Sequence, residues 1–478
     1  MRAVVLDEPR LAFGGNATHR DPRTGIADYG PVDWAGHPKI IRPAFVGTDE
    51  AIDGTVRWLE SCRQGIDAKQ SRHPNLFPTF PGFDTDRGFR ASFALEGAPR
   101  RSIGTRTLSK ATSKPVALAV AECVHLYETQ IADLDESNRV DVIFVCRPDD
   151  LHDDNTTRAA NAGDEGQTST LVDGRKVDFH DLLKARLVSR RTPIQIIRSS
   201  TWDITRAASL PTGRSLQDPA TRAWNIHTAA YYKAGGVPWR LEKPAATITT
   251  LFIGVTFFHT PDKSEVHTSI AQVFDELGNG VVVRGGPAAS QKSDRQPHLS
   301  RSDIETLIGD SLDTYRREHH TEAARVVIQK TSSFNDDEVA GIESALDVRR
   351  IEHLDMVWVV ADTEHFRMFR RGEGAVLRGT TVELDSKHYV LFTRGSVAYY
   401  KTYPGMYVPV PLGVRPALTE TDPMVLCQEV LGLSKLNWNQ SQLDGRLPIT
   451  ISAARKIANI LKHVSERTTV NGRYANYM

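Results

Sequence analysis

Apolar positions change rhythm twice along this chain of 478 residues. Residues 1–100 carry short strand-like pieces such as Leu11-Ala12-Phe13, set in a background rich in Gly, Pro and Arg. Beyond Pro115 the pattern becomes regular. Val116 to Leu134 is apolar at helical spacing, and Val140 to Cys146 is a mostly apolar, β-branched-rich run, as expected of a buried helix followed by a buried strand. A helix from Phe179 to Val188, a strand from Pro193 to Ile197 and a helix through Ala223 to Lys233 continue the alternation. Such an order implies a parallel sheet flanked by helices. Between these elements, Leu151 to Asp178 is polar and reads as a long surface loop.

A second alternation begins after Trp239. Strands are expected from Ile248 to Phe258, Gly280 to Arg284, Ala324 to Gln329 and Met356 to Val360. Helices are expected from Asp303 to Glu318, Asp336 to Leu346 and Thr450 to Val464, with a β-rich stretch from Tyr389 to Val410. The chain is therefore read as α/β, with an N-terminal segment (1–100) packing on two larger units, 101–238 and 239–478.

Composition narrows the function classes. Hydrophobic residues make up 40% and charged residues 25%, which suits a globular chain of two or three units. Lys plus Arg equals Asp plus Glu at 59 each. A polybasic coat for nucleic acid is thereby excluded, while a local basic channel is not. The four cysteines are far apart and suggest neither a zinc site nor a disulfide framework, so a reducing cytoplasm is expected. Charges appear too early for a signal peptide, and no apolar run approaches the roughly 20 residues of a membrane helix. No membrane role is expected.

Four residues carry candidate chemistry. His180 and Lys184 stand at i,i+4 and share one helix face. Gln195 lies in the next strand, and Lys233 ends the following helix. Two ammonium groups, an amide and an imidazole converging at α/β loops can hold a terminal phosphate, and the ring can stack on a terminal base. On spacing alone, unrelated surface residues of an α/β domain are the simpler explanation of the pattern.

Resemblance shifts that balance. Lys233 followed by Gly235-Gly236-Val237-Pro238-Trp239 resembles the junction of the MID and PIWI domains of Argonaute proteins. His180, Lys184 and Gln195 match residues of that family's guide pocket. Leu11-Ala12-Phe13-Gly14, Tyr29-Gly30-Pro31, Tyr403 to Leu412, Lys435 to Asn439, Leu447 to Thr450 and Arg473 to Met478 follow in the family's order. Nothing resembles the N and PAZ domains of long Argonautes. The chain thus resembles a short prokaryotic Argonaute, and the resemblance implies a Rossmann-like MID domain followed by an RNase H-like PIWI domain.

What that resemblance implies is specific. His180, Lys184, Gln195 and Lys233 would bind the 5′-phosphate of a guide, which the resemblance implies is RNA and pairs with single-stranded DNA. Magnesium would sit beside the phosphate, assisted by the carboxylate of Met478. Arg198, Arg284 and Lys330 would track guide and target backbones. The nuclease carboxylate positions fall on Thr256, Thr331 and Ala453, and the segment from Pro287 to Pro297 offers only Asp294. Threonine and alanine cannot hold the two magnesium ions of such a site, so no cleavage is expected. The implied role is a sensor in prokaryotic defence against plasmids and phages, with the output coming from a partner that joins an APAZ domain to a TIR, sirtuin-like or nuclease effector. The alternative is an active slicer whose acids are Asp275, Glu276, Asp336 or Asp337.

Overall fold

A computed structural model describes residues 2–37, 39–137, 139–151, 171–172, 175–176, 178–207, 216–243, 248–259, 266–275, 280–290, 294–320, 322–361, 366–372, 374–465 and 468–478. The first half runs β1 (Arg2–Val5), β2 (Pro43–Gly47), α1 (Asp49–Ser61), β3 (Arg100–Ser102), α2 (Val116–Ser137), β4 (Val142–Cys146), α3 (Phe179–Arg186), β5 (Ile194–Ile197) and α4 (Pro219–Lys233). Strands β5-β4-β2-β3 form a four-stranded sheet, parallel throughout. Every residue of β2 and β4 is buried, which is why both read as unbroken apolar runs.

This sheet corrects the expected boundary at residue 100. Residues 1–100 do not merely pack on the larger units; they supply the interior strand β2, helix α1 and the first residue of the edge strand β3. Five residues bracketed by Pro43 and Gly47 are too few to show a period, so the strand was hidden in its Gly/Pro-rich surroundings. Most of the expected loop from Leu151 to Asp178 lies outside the described residues. Two short strands within it, Leu171–Val172 and Arg175–Lys176, pair antiparallel.

The second half runs β6 (Thr250–His259), β7 (Val266–Asp275), β8 (Gly280–Val283), β9 (Pro287–Ser290), β10 (Pro297–His298), α5 (Arg301–His319), β11 (Arg325–Lys330), α6 (Asp336–Asp347), β12 (His353–Val360), β13 (Thr380–Asp385), β14 (His388–Leu391), β15 (Leu412–Leu418), α7 (Pro423–Leu433) and α8 (Ile449–Leu461). Its sheet follows the order β1-β13-β14-β15-β12-β11-β6-β7-β9-β10, with β8 also beside β7. Strands β6, β11 and β12 are mutually parallel, and the remaining pairings are antiparallel. Strand β6 alternates as a sheet buried on both faces must. Leu251, Ile253 and Val255 pack with Ile304, Ile308 and Ile342 of α5 and α6, while Phe252 joins Ala453 and Ile457 of α8 in another core. Gly254 faces α8 so closely that a Cβ there would lie 2.5 Å from the main chain of Thr450.

The Pro-Trp motif locks the two halves together. Trp239 Nε1 donates to the carbonyl of Lys435 at 3.1 Å, and Trp438 Nε1 donates to the carbonyl of Trp239 at 3.1 Å. Tyr232 stacks on Trp438 at 4.6 Å with its ring tilted by only 6°.

Candidate functional site

One cavity of about 330 Å³ gathers His180, Lys184, Gln195, Lys233, Arg198 and Met478. It opens at the C-terminal ends of β4 and β5, the edge where open parallel sheets bind ligands. Asp178 starts α3 by accepting from the amides of His180 (2.8 Å) and Asp181 (3.3 Å), a helix N-cap that fixes the entry of the helix. His180 and Lys184, one turn apart, then point to the same cavity. Asp178, His180 and Asp181 also lie within 4.8 Å of one another. Asp178 is occupied with the helix amides, and Asp181 Oδ1 holds His180 Nδ1 at 2.9 Å, so the trio is explained as a cap and a ring anchor.

Lys233 closes α4. The amides of Gly235 and Gly236 turn back to the carbonyls of Tyr232 and Tyr231, and Gly235 takes a φ of +99°. That left-handed turn favours glycine. At Gly236 the reason is space: a Cβ would lie 2.3 Å from the Tyr231 ring. Asp33 secures the turn by accepting from Tyr231 Oη at 2.8 Å and from the Val237 amide at 2.7 Å. Thus the two glycines and an N-terminal aspartate together aim Lys233.

The electrostatics of the cavity are one-sided. Lys233 Nζ donates to Gln195 Oε1 at 2.6 Å, while Gln195 Nε2 donates to the Ile196 carbonyl at 2.9 Å. Lys184 is 3% exposed, and its ammonium has no hydrogen-bond partner among the described residues. Burial, then the charges of Lys233 and Lys456, push the Lys184 amine well below the ordinary lysine range. Burial and Lys456 bring Lys233 down to about 7. Burial and Lys184 lower His180 to about 4, against the opposing pull of Asp181. Among the described residues, no Asp or Glu side chain lines the cavity.

Arg147 and Lys456 were absent from the sequence reading, and Asn439 entered it only as the end of a motif, with no role at the cavity. Arg147 follows β4 and lines the cavity, with its guanidinium donating to the Leu151 carbonyl at 2.8 Å. Asn439 reaches the same cavity from the Trp438 loop. Lys456 comes from α8, and its ammonium is close enough to depress both cavity lysines. No local pattern signals residues brought from such distant segments.

The remaining candidates separate. Lys330, expected to track a nucleic-acid backbone, is a correction: it is fully buried and donates to Glu338 Oε2 at 2.5 Å and to the Ser333 carbonyl at 2.6 Å. Alternation along β11 turns it to the α6 face, opposite Gln329, which meets Thr450 Oγ1 at 2.6 Å on the α8 face. Arg284 lies outside the cavity and donates to the carbonyls of Ser465 (3.0 Å) and Val464 (3.5 Å), just past the end of α8. Thr256 is buried on β6, where the pairing with β7 shifts register, and the Thr331 amide donates to the neighbouring Val255 carbonyl at 3.2 Å. Thr256 thus lies within β6, one residue past its pairing with β11, and Thr331 just beyond the end of β11, while Ala453 is buried in α8 against the same sheet. Asp294 accepts from the Gln296 amide, His298 and Ser333, which lower it to about 2.

A magnesium ion needs a cage of hard oxygens. The cavity instead offers lysines, arginines and amides, and among the described residues no carboxylate side chain lines it. These residues do not fit a resident magnesium ion, whereas they do fit an anion.

Comparison with known proteins agrees with the architecture. The Piwi domain model matches residues 170–466. Clostridium butyricum Argonaute, in a structure with a guide DNA and a 19-mer target DNA, is 13% identical, with a TM-score of 0.67 over 99% of this chain and 54% of that one. A. aeolicus Argonaute is 13% identical, with a TM-score of 0.57 over 98% and 54%. Drosophila Piwi is 14% identical, with a TM-score of 0.59 over 99% and 56%. The chain thus spans about half the length of the structures it resembles. No curated protein matches by sequence. With the family model covering more than half of its residues, the chain belongs to the Piwi domain family.

Proposed function

We propose that this protein binds a guide oligonucleotide by its 5′-phosphate and presents it to a complementary strand. The single observation that carries this reading is the buried ammonium of Lys184, which among the described residues has no hydrogen-bond partner and lies beside Lys233 in a cavity lined by no side-chain carboxylate. Burying an uncompensated cation is costly, and a phosphate dianion removes that cost. His180 stacks on the terminal base, Gln195 orients Lys233, and Arg198 and Arg147 meet the following backbone. The guide and target DNA carried by Clostridium butyricum Argonaute support the same mode of use. Our reading keeps RNA as the guide and single-stranded DNA as the target.

Thr256 on β6, Thr331 just past β11 and Ala453 on α8 stand where the resemblance puts the carboxylates of two-metal cleavage, and none of the three is an acid, which supports a non-cleaving reading. We therefore assign the protein to sensing, with the output residing in a separate APAZ-containing effector of a cytoplasmic defence system. Binding assays with matched 5′-phosphate and 5′-hydroxyl oligonucleotides test the core of this reading. A strong preference for the phosphate, lost in Lys184→Ala/Lys233→Ala, is expected; equal affinity for both ends would sink it. Labelled target with guide and magnesium or manganese tests the second part, for which no cleavage is expected.

A further inference from the structure

Residues 198–206, which leave strand β5, serve two cavities. Arg198, Ser200 and Thr201 line the 5′-phosphate cavity, Ser199 and Arg206 line a second one of about 200 Å³, and Arg147 borders both. The segment consists of two 3-10 turns, Ser199–Thr201 and Ile204–Ala207. With Ile204 64% exposed, it has little apolar burial of its own to fix its place.

A shared guanidinium does so instead. Arg206 Nη1 meets Asp149 Oδ2 at 3.3 Å, Nε meets Asp203 Oδ2 at 3.3 Å, and Nη2 donates to Glu50 in the first turn of α1. Carboxylates from α1, from the turn after β4 and from the segment itself thus share one planar fork. Asp149 also accepts from Ser199 Oγ at 2.5 Å. Arg206 lies over the Trp202 ring at 5.2 Å, and that ring rests on Gly54 of α1, where a Cβ would come within 2.6 Å of it. Arg206 does not line the 5′-phosphate cavity, yet the wall carrying Arg198, Ser200 and Thr201 is tied through it to α1. Partly exposed ion pairs add little to overall stability, but here they decide where a short segment sits.

We propose, on the phosphate reading of the cavity, that Arg206 is a positioning residue for it: by joining Glu50 and Asp149 it holds in place the wall against which a 5′-phosphorylated end sits. Affinities for matched 5′-phosphate and 5′-hydroxyl oligonucleotides, taken with melting temperatures, test this. Arg206→Met should cut the preference for the phosphate about tenfold, the worth of one charge-assisted hydrogen bond, with 5′-hydroxyl affinity and melting temperature unchanged. Because that substitution also removes a positive charge, Glu50→Gln/Asp149→Asn is the deciding variant. Loss of two negative charges strengthens anion binding through space, whereas loss of the strap weakens it, and a weakening of about tenfold is expected. Gly54→Ala changes no charge, displaces Trp202 and should weaken the preference in the same direction. Arg206→Met added to Glu50→Gln/Asp149→Asn should then have little further effect. In the protein alone, each variant should speed amide exchange at Trp202 and Asp203, which donate to the Ser199 carbonyl at 3.0 and 2.8 Å. Unchanged exchange, stronger phosphate binding by Glu50→Gln/Asp149→Asn, or a preference that survives every substitution would overturn the positioning role and leave the cavity reading intact. A wild-type protein with no preference for the phosphate would sink both.

Discussion

Two sets of buried lysines in this molecule have opposite fates. Lys330 is met by Glu338, which also accepts from the Leu299 amide at 3.0 Å and faces His298 Nδ1 at 2.9 Å; His298 in turn holds Asp294 at 2.8 Å. Every charge in that group has a counterpart, so it is scaffold. Lys184 and Lys233 instead line one cavity, where Lys233 meets only a neutral amide and Lys184 has no hydrogen-bond partner among the described residues. The difference teaches that burial of a cation says little by itself. What marks a binding site is burial without a counter-charge.

The contrast can be broken most severely on the compensated side. Glu338→Ala leaves the Lys330 ammonium buried and unpaired, and should cost about 3 to 5 kcal/mol in denaturant unfolding. Lys330→Met/Glu338→Leu should recover most of it. On the open side, Lys184→Met should lower affinity for a 5′-phosphorylated oligonucleotide on the order of tenfold to a hundredfold. The same substitution should raise the stability of the protein alone, because it removes an unpaired buried charge. Opposite signs for affinity and stability are the signature to look for; a loss of both would make Lys184 structural.

Proton linkage sharpens the comparison further. Lys233 is depressed to about 7 in the folded protein and returns to 10.5 on unfolding, so between those values the unfolded chain binds more protons. Stability of the protein alone should therefore rise with pH across that window. Affinity for a 5′-phosphate should fall across it, since binding then requires proton uptake. Calorimetry in buffers of different ionisation enthalpy reads the uptake directly. Chelation of divalent ions should leave the 5′-phosphate preference in place, as measured by the same titrations. Smallest of all, Thr450→Val breaks one neutral buried hydrogen bond to Gln329 and should cost about 1 kcal/mol in unfolding, with no change in phosphate affinity.

Much of this was present in the sequence, for identifiable reasons. Helices α4 to α6 and strands β4, β5, β6 and β11 are long or regular enough for their periods to show. The cavity residues His180, Lys184, Gln195 and Lys233 were reached by resemblance at several ordered motifs rather than by their spacing. Strand β2 and helix α1 were missed in a segment dominated by Gly and Pro. Lys330 was assigned to the wrong environment because which face a strand residue takes depends on register, and register depends on partners. Glu338, its counter-charge, sits in a capping box with Asn335 that reads as an exposed helix start. Lys456 escaped because its role depends on α8 crossing toward α3 from the far end of the chain.

Strand β1 carries a consequence for synthesis. Arg2 pairs with Glu383 and Val5 with Thr380, so the first strand of the chain completes a sheet whose other strands all follow residue 249. The first parallel sheet is accordingly an insertion between one edge strand and the body of the second sheet. At ribosomal rates β1 waits roughly 20 to 75 s for its partner to be made. Its own burial pattern, mostly exposed, suits a strand that must stay soluble through that delay.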